Sequence, residues 1–99
     1  METRTFKVAS APALVVPSNV EAEEAVLGSI LIDRNALVTV LPIVKSADFY
    51  IERHGWIFEA MGALYAQGKP IDALLILNEL RARNRNEIIE PLYLNELVK

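Results

Sequence analysis

Cysteine is absent from this sequence of 99 residues. Its absence excludes disulfide bonds and thiolate metal sites, and it fits a reducing compartment such as the cytoplasm. Histidine occurs only once, as His54, so a metal site or a nucleophilic triad would need several ligands or partners of other types. No apolar run approaches the roughly 20 residues that span a bilayer. We therefore expect a cytoplasmic protein with no membrane contact.

An excess of positive charge is also missing. Lys and Arg number 10 against 13 Asp and Glu, which gives a formal net charge of -3. This balance argues against a nucleic-acid surface, and a DNA-binding helical domain is the least favoured interpretation. The one basic cluster, Arg81, Arg83 and Arg85, is interpreted as a solvated helix end. Hydrophobic residues make up 53%, which indicates a large core or an apolar surface left for a partner.

The sequence contains no recognisable catalytic motif. A phosphate-binding loop needs an upstream glycine and a Ser or Thr after the lysine, whereas Gly68-Lys69 is followed by Pro70. Glu23 and Glu24 are adjacent, so they point in different directions on a helix and form no carboxylate pair. We predict no catalytic residue, no cofactor-binding residue and no metal ligand in this chain.

The first 17 residues differ from the rest. They combine small aliphatic residues with two prolines and show neither a helical nor a strand period. Pro12 interrupts the apolar stretch and no convincing cleavage site follows it, so a flexible arm over 1–17 is favoured over a secretory signal. Residues 18–99 form the predicted folded domain.

Helix signals dominate this domain. Ser18 and Glu21 have the spacing of a capping box, and Asp33 and Asp72 are predicted to cap the second and fourth helices. Gly68 and Pro91 mark a helix end and a helix start. No hairpin signal appears, so the predicted fold class is all-α, a small compact domain of about five helices. The predicted helices cover 19–32, 34–44, 52–67, 73–83 and a segment that begins near 91.

Three segments carry the predicted core. The third helix has the clearest period, and Phe49 and Tyr50 are expected to insert two rings beside it. The fourth helix has a second stripe of Ala73, Ile76, Leu77 and Leu80. The predicted core face of the third helix consists of His54, Ile57, Phe58, Met61, Leu64 and Tyr65.

Two polar residues lie on these apolar faces. On a helical wheel Glu23 falls inside an arc of Ala22, Ala25, Val26, Leu27 and Ile30, and His54 heads the stripe of the third helix. A partner contact or a pH-sensitive switch is one interpretation. The favoured one is structural, because a carboxylate on an apolar face must find donors, and a histidine or the N–H groups at a helix start would serve.

The last helix has an apolar stripe of Tyr93, Leu94, Leu97 and Val98. A helix of about two turns is marginal without packing, so we expect the stripe to be exposed and to form an oligomer interface. The same pattern predicts that this helix continues in a longer parent chain.

Six segments stand in a characteristic order and spacing over roughly residues 15 to 98. They are 17–33, Asp48-Phe49-Tyr50, His54 with Ile57-Phe58-Glu59-Ala60, Gly68-Lys69-Pro70-Ile71-Asp72, 77–80 and Tyr93-Leu94-Asn95-Glu96-Leu97. This order and spacing resemble the N-terminal domain of DnaB-type replicative DNA helicases. One departure is Ile89-Glu90-Pro91, where family members often have a glycine pair. Gly55 lies inside a predicted helix, and a close backbone contact is the one explanation offered for it.

The resemblance implies a non-catalytic scaffold domain of a hexameric helicase. Its copies would form a trimer-of-dimers collar that binds primase, with a helicase loader as a further partner. ATP, Mg²⁺ and DNA would be bound by a separate motor domain of the parent chain. The alternative is a free-standing helical adaptor that binds a helicase or its loader.

Overall fold

Helices account for all the regular structure in the part of the chain that the structure describes. This computed structural model describes residues 19–85 and 91–98. No strand occurs in those two ranges, and the prediction of an all-α domain with about five helices is confirmed. The predicted arm, the Ser18 cap and most of Ile89-Glu90-Pro91 lie outside the described residues. The helices are α1 Asn19–Ile32, α2 Ala36–Val40, α3 Glu52–Ala66, α4 Ala73–Ala82 and α5 Pro91–Glu96.

Local signals set the ends of α3 and α4. Gly68 has a φ of 72°, and the N–H groups of Gly68 and Lys69 bond back to the carbonyls of Tyr65 and Leu64, which closes α3 as predicted. The Asp72 carboxylate accepts the Leu75 N–H at 2.9 Å and caps α4. Asn84, with a φ of 60°, ends α4 by the same backbone pattern as Gly68.

The second helix is shorter than predicted. It covers Ala36–Val40 in place of 34–44, because Asp33 folds its carboxylate onto the Asn35 N–H at 3.0 Å and holds the first residues in a turn. Pro42 has no N–H to continue the ladder, and turns replace the helix beyond Val40.

The core is built around α3, which packs against α1, α4 and the short 3₁₀ helix Ser46–Asp48. Every residue of the predicted α3 stripe is buried except Tyr65, which is half-buried. Phe49 inserts into the core beside α3 as predicted, and the centres of the Phe49 and Phe58 rings are 5.2 Å apart. The same prediction is wrong for Tyr50, which is 64% exposed. The backbone at Phe49 is extended, and successive side chains of an extended backbone point to opposite sides.

Two helical glycines permit close backbone approach. A Cβ at Gly28 in α1 would lie 2.1 Å from the Leu97 carbonyl oxygen, and one at Gly55 in α3 would lie 2.7 Å from the Ser46 carbonyl oxygen. Both distances are far below van der Waals contact. Gly28 therefore lets α1 meet the end of α5, and Gly55 lets α3 meet the 3₁₀ helix.

Gly28→Ala tests the α1–α5 contact. Although alanine favours helix by about 1 kcal/mol over glycine, the clash should displace α5 and give a net loss of about 1 to 3 kcal/mol in the free energy of unfolding. Gly62→Ala is the matched control, since Gly62 lies in α3 with nothing within 4 Å of its Cβ position, and it should gain stability. Equal urea midpoints for the two variants would contradict the close contact.

Candidate functional site

A fully buried carboxylate connects α1 to the start of α3. Glu23 accepts the Tyr50 N–H at 2.5 Å and the Ile51 N–H at 3.3 Å, and its Oε1 lies 2.8 Å from His54 Nδ1. Both Glu23 and His54 have zero side-chain exposure. The sequence suggested two kinds of hydrogen-bond donor for Glu23, a histidine or the backbone N–H groups at a helix start. Both kinds bind it in the structure.

The other nitrogen of the imidazole extends this chain to α5. His54 Nε2 hydrogen-bonds the Tyr93 hydroxyl, and that hydroxyl lies 3.2 Å from Glu24 Oε2 on α1. The imidazole and phenol rings are stacked, with centroids 5.9 Å apart. We call Glu23, His54, Tyr93 and Glu24 the polar chain, which joins three helices.

Tyr93 has a third polar neighbour besides His54 and Glu24. The Arg53 guanidinium lies 4.5 Å from the centre of its ring. Burial raises the pKa of the Tyr93 hydroxyl above its usual value, against an opposing effect of Arg53. The phenol therefore keeps its proton at neutral pH and takes part in the polar chain as a hydroxyl.

The predicted interface stripe on α5 needs correction. Leu94 and Leu97 are buried in the chain's own core, and the Tyr93 hydroxyl belongs to the polar chain. The expectation of exposure is therefore wrong for Leu94 and Leu97, because α5 turns this face towards α1 and α4. Tyr93 is half-buried, and its contact with another copy stays a prediction. Val98 is 43% exposed, and its contact with another copy stays a prediction.

A second polar cluster lies at the surface where α3 meets the end of α4. Glu59 accepts the Ser46 hydroxyl at 2.9 Å and Arg85 at 2.7 Å, with Arg83 at 3.5 Å. Arg85 also lies 5.0 Å from the centre of the Trp56 ring. Arg81, Arg83 and Arg85 were expected to form a solvated helix end. Two of them, Arg83 and Arg85, are paired with the Glu59 carboxylate.

This pairing changes the acidity of Glu59. Burial opposes ionisation, but the hydrogen bonds from Ser46 and Arg85 and the two nearby guanidinium charges outweigh it and lower the pKa of Glu59. Glu59 also lines a surface cavity of about 370 Å³ beside Trp56 and Tyr50.

Neither a metal cluster nor a membrane span emerges from the described ranges. No group of three or more His, Asp and Glu side chains in residues 19–85 and 91–98 is arranged to hold a metal ion. No helix in the same ranges has the length and apolar character needed to cross a membrane.

Sequence reasoning identified Glu23 and His54 but missed Glu24 and Tyr93 as members of the polar chain. Glu24 has no distinguishing pattern, since it lies at the edge of the apolar arc of α1. The sequence pattern places Tyr93 on an apolar stripe. The hydroxyl of a tyrosine on a helix face that becomes buried nevertheless needs a hydrogen-bond partner, and this is the signal that could have identified it.

Glu23→Ala tests the buried carboxylate. It leaves the Tyr50 and Ile51 N–H groups and His54 without their acceptor, so the free energy of unfolding should fall by about 1 to 3 kcal/mol. Glu21→Gln, at an exposed position of the same helix and with a side chain that can keep the predicted capping-box contact, should change it by no more than about 0.5 kcal/mol. Urea unfolding of both variants measures the difference, and an unchanged midpoint for Glu23→Ala would show that its donors are satisfied elsewhere.

The lowered pKa of Glu59 predicts that this residue contributes to the loss of folding stability at acidic pH. The pKa of Glu59 is lower in the fold than its ordinary value of 4.5, so the ionised carboxylate stabilises the folded protein above about pH 4.5. This contribution is lost as the pH falls below that value and the carboxylate takes up a proton. Glu59→Gln should therefore lose less stability than the wild type on acidification from about pH 5 to pH 3. Urea midpoints across this range are the measurement, with the exposed Glu52→Gln as the control. Parallel curves for Glu59→Gln and the wild type would exclude a role for the pair.

Comparison with known proteins identifies the family. The model of the DnaB-like helicase N-terminal domain matches residues 15–99. Replicative DNA helicase DnaB of Geobacillus stearothermophilus is 39% identical over 84 residues, and that of Pasteurella multocida is 36% identical over 103. These alignments cover 84% and 100% of this chain but only 18% and 22% of the two relatives.

A solved structure shares the fold. The N-terminal domain of DnaB helicase from Mycobacterium tuberculosis superposes with a TM-score of 0.74 at 34% identity, covering 80% of this chain and 58% of that one. The resemblance found in the sequence is confirmed by both comparisons. The chain belongs to the DnaB-like helicase N-terminal domain family.

Proposed function

We propose that this chain is the non-catalytic N-terminal scaffold domain of a hexameric replicative DNA helicase, acting in the cytoplasm in ring assembly and primase binding. The observation that carries the proposal is the match of residues 15–99 to the N-terminal domain family, together with the shared fold. The matched relatives are named replicative DNA helicases, and this chain corresponds to a small part of each.

The placement of the polar residues supports a binding role over a catalytic one. The one histidine is fully buried and both of its ring nitrogens are engaged, so it has no access to a substrate. Glu59 and its arginines are paired with one another. In this proposal ATP, Mg²⁺ and DNA are bound by a motor domain of the parent protein.

Exposed apolar side chains supply a surface for assembly. Ile32 at the end of α1 is 73% exposed, and Val38 in α2 and Ile43 just after it are also exposed. These residues lie within twelve positions of one another, and burial of such side chains between copies would stabilise a dimer. Exposed charged and polar neighbours such as Asp33 and Asn35 would form the rim that sets the register.

Two interactions of the domain test the proposal, its self-association and its binding to primase. We expect the wild-type chain to self-associate weakly and to bind the primase encoded in the same genome. The double variant Ile32→Ser/Ile43→Ser should weaken self-association about tenfold, equivalent to about 1.4 kcal/mol, without changing the unfolding midpoint. Analytical ultracentrifugation over a hundredfold concentration range, with and without primase, measures both interactions.

The control is Thr39→Ser, an exposed polar change in α2 that should leave both interactions intact. The scaffold role would be contradicted if the domain stays monomeric and fails to bind primase, both in isolation and within its parent protein. Binding to a separate helicase subunit in place of self-association would instead favour the adaptor.

A further inference from the structure

The surface cavity at the start of α3 combines aromatic rings with carboxylates. Tyr50, Glu52, Trp56 and Glu59 line this cavity of about 370 Å³, and no lysine or arginine belongs to its described lining. Tyr50 is 64% exposed and Glu52 is also exposed, so this part of the lining faces water. We call it the Tyr50 cavity. Its lining offers ring faces and carboxylate oxygens to a ligand.

Tyr50 differs from the other tyrosines and the tryptophan of this chain, because each of those has a guanidinium over its ring. The three pairs are Arg34 with Tyr65, Arg53 with Tyr93 and Arg85 with Trp56, at 4.5, 4.5 and 5.0 Å from the guanidinium carbon to the ring centre. No arginine within residues 19–85 and 91–98 lies over the Tyr50 ring in this way. The ring that is open to water is therefore also the one whose face is free for a cation.

Arg85 shows how the neighbouring part of the lining holds a guanidinium. It lies over the Trp56 ring and binds the Glu59 carboxylate at 2.7 Å, so one guanidinium contacts a ring and a carboxylate together. Tyr50 and Glu52 bring the same two kinds of group to the cavity. Glu52 forms no ion pair with any residue that the structure describes, so its carboxylate is available to a donor from outside.

These groups select an arginine side chain over other ligands. Two carboxylates repel an anion such as a nucleic-acid phosphate, and an apolar side chain would take water from Glu52 without offering it a donor. A guanidinium stacks on an aromatic ring and donates to a carboxylate through a planar fork, whereas a lysine ammonium is more strongly hydrated. Arg53, the residue next to Glu52, is held over Tyr93 and leaves the cavity open.

We propose that the Tyr50 cavity binds an arginine side chain presented by a protein partner, with the Tyr50 ring as the stacking surface and the Glu52 carboxylate as the acceptor. This site uses none of the exposed apolar residues assigned above to self-association. It therefore goes beyond the scaffold role and can be tested separately from it.

A short peptide tests the site, because Trp56 is the single tryptophan of the chain and its indole signal reports on the cavity. The probe is Ac-Ala-Arg-Ala-NH2, and the same peptide with citrulline in place of arginine removes the charge while keeping the shape. We expect the arginine peptide to shift the NMR signals of Tyr50, Glu52 and the Trp56 indole with a Kd on the order of 1 mM. The citrulline peptide should bind about fivefold more weakly.

Two variants locate the contacts. Glu52→Gln removes the acceptor charge and Tyr50→Leu removes the ring while keeping an apolar side chain, so each should weaken binding of the arginine peptide about threefold. Glu21→Gln is the matched control, since it removes one exposed carboxylate outside the cavity and should leave the Kd unchanged. Equal urea midpoints show that the variants keep the fold.

Several results would overturn the proposal. They are equal affinities for the arginine and citrulline peptides, a Kd that neither variant changes, and the absence of shifts at the cavity. Tighter binding of Ac-Ala-Leu-Ala-NH2 would identify an apolar site instead. Shifts of the cavity signals with protein concentration alone would identify a second copy of this chain as the occupant, and this too would overturn the proposal.

Discussion

The requirement that a fully buried carboxylate be satisfied determines the arrangement of this domain. Glu23 sits in the apolar face of α1 with no contact to water, where an unpaired charge would cost several kcal/mol. Its donors come from Tyr50, Ile51 and His54, at and just before the first turn of α3. Since three donors must converge on two oxygens, the start of α3 has little freedom to slide along α1.

The position of α5 follows from that first constraint. Once Glu23 has set the orientation of the His54 ring, the far nitrogen of the ring fixes where the Tyr93 hydroxyl can lie. The six residues of α5 are too few for an isolated helix to be stable, so its position depends on contacts with other helices. Burial of Leu94 and Leu97 supplies the apolar part of these contacts, and Gly28 supplies the space.

Features that depend on residues close together in the sequence could be predicted, and features that depend on distant residues could not. The period of α3, the Asp72 cap and the Gly68 stop depend on residues within one or two turns, and the sequence predicts all three. Glu23 and His54 stand out because each violates an apolar pattern. The partnership of Glu24 with Tyr93 joins residues 69 positions apart and depends on how α5 packs, which no local pattern encodes. The buried face of α5 was misjudged for the same reason, because an apolar stripe predicts burial without specifying which surface covers it.

A buried polar chain would suit the scaffold role proposed for this domain. Replacing such a group by well-packed apolar residues is often neutral or stabilising, so the polar chain is not explained by stability alone. An apolar contact between α1, α3 and α5 could form in several registers, whereas Glu23, His54 and Tyr93 satisfy one another in one arrangement only. In a scaffold whose neighbours bind its outer faces, fixing the relative orientation of those faces determines which contacts can form at once. The internal polar chain would thus specify the geometry, and the exposed apolar residues would supply the affinity.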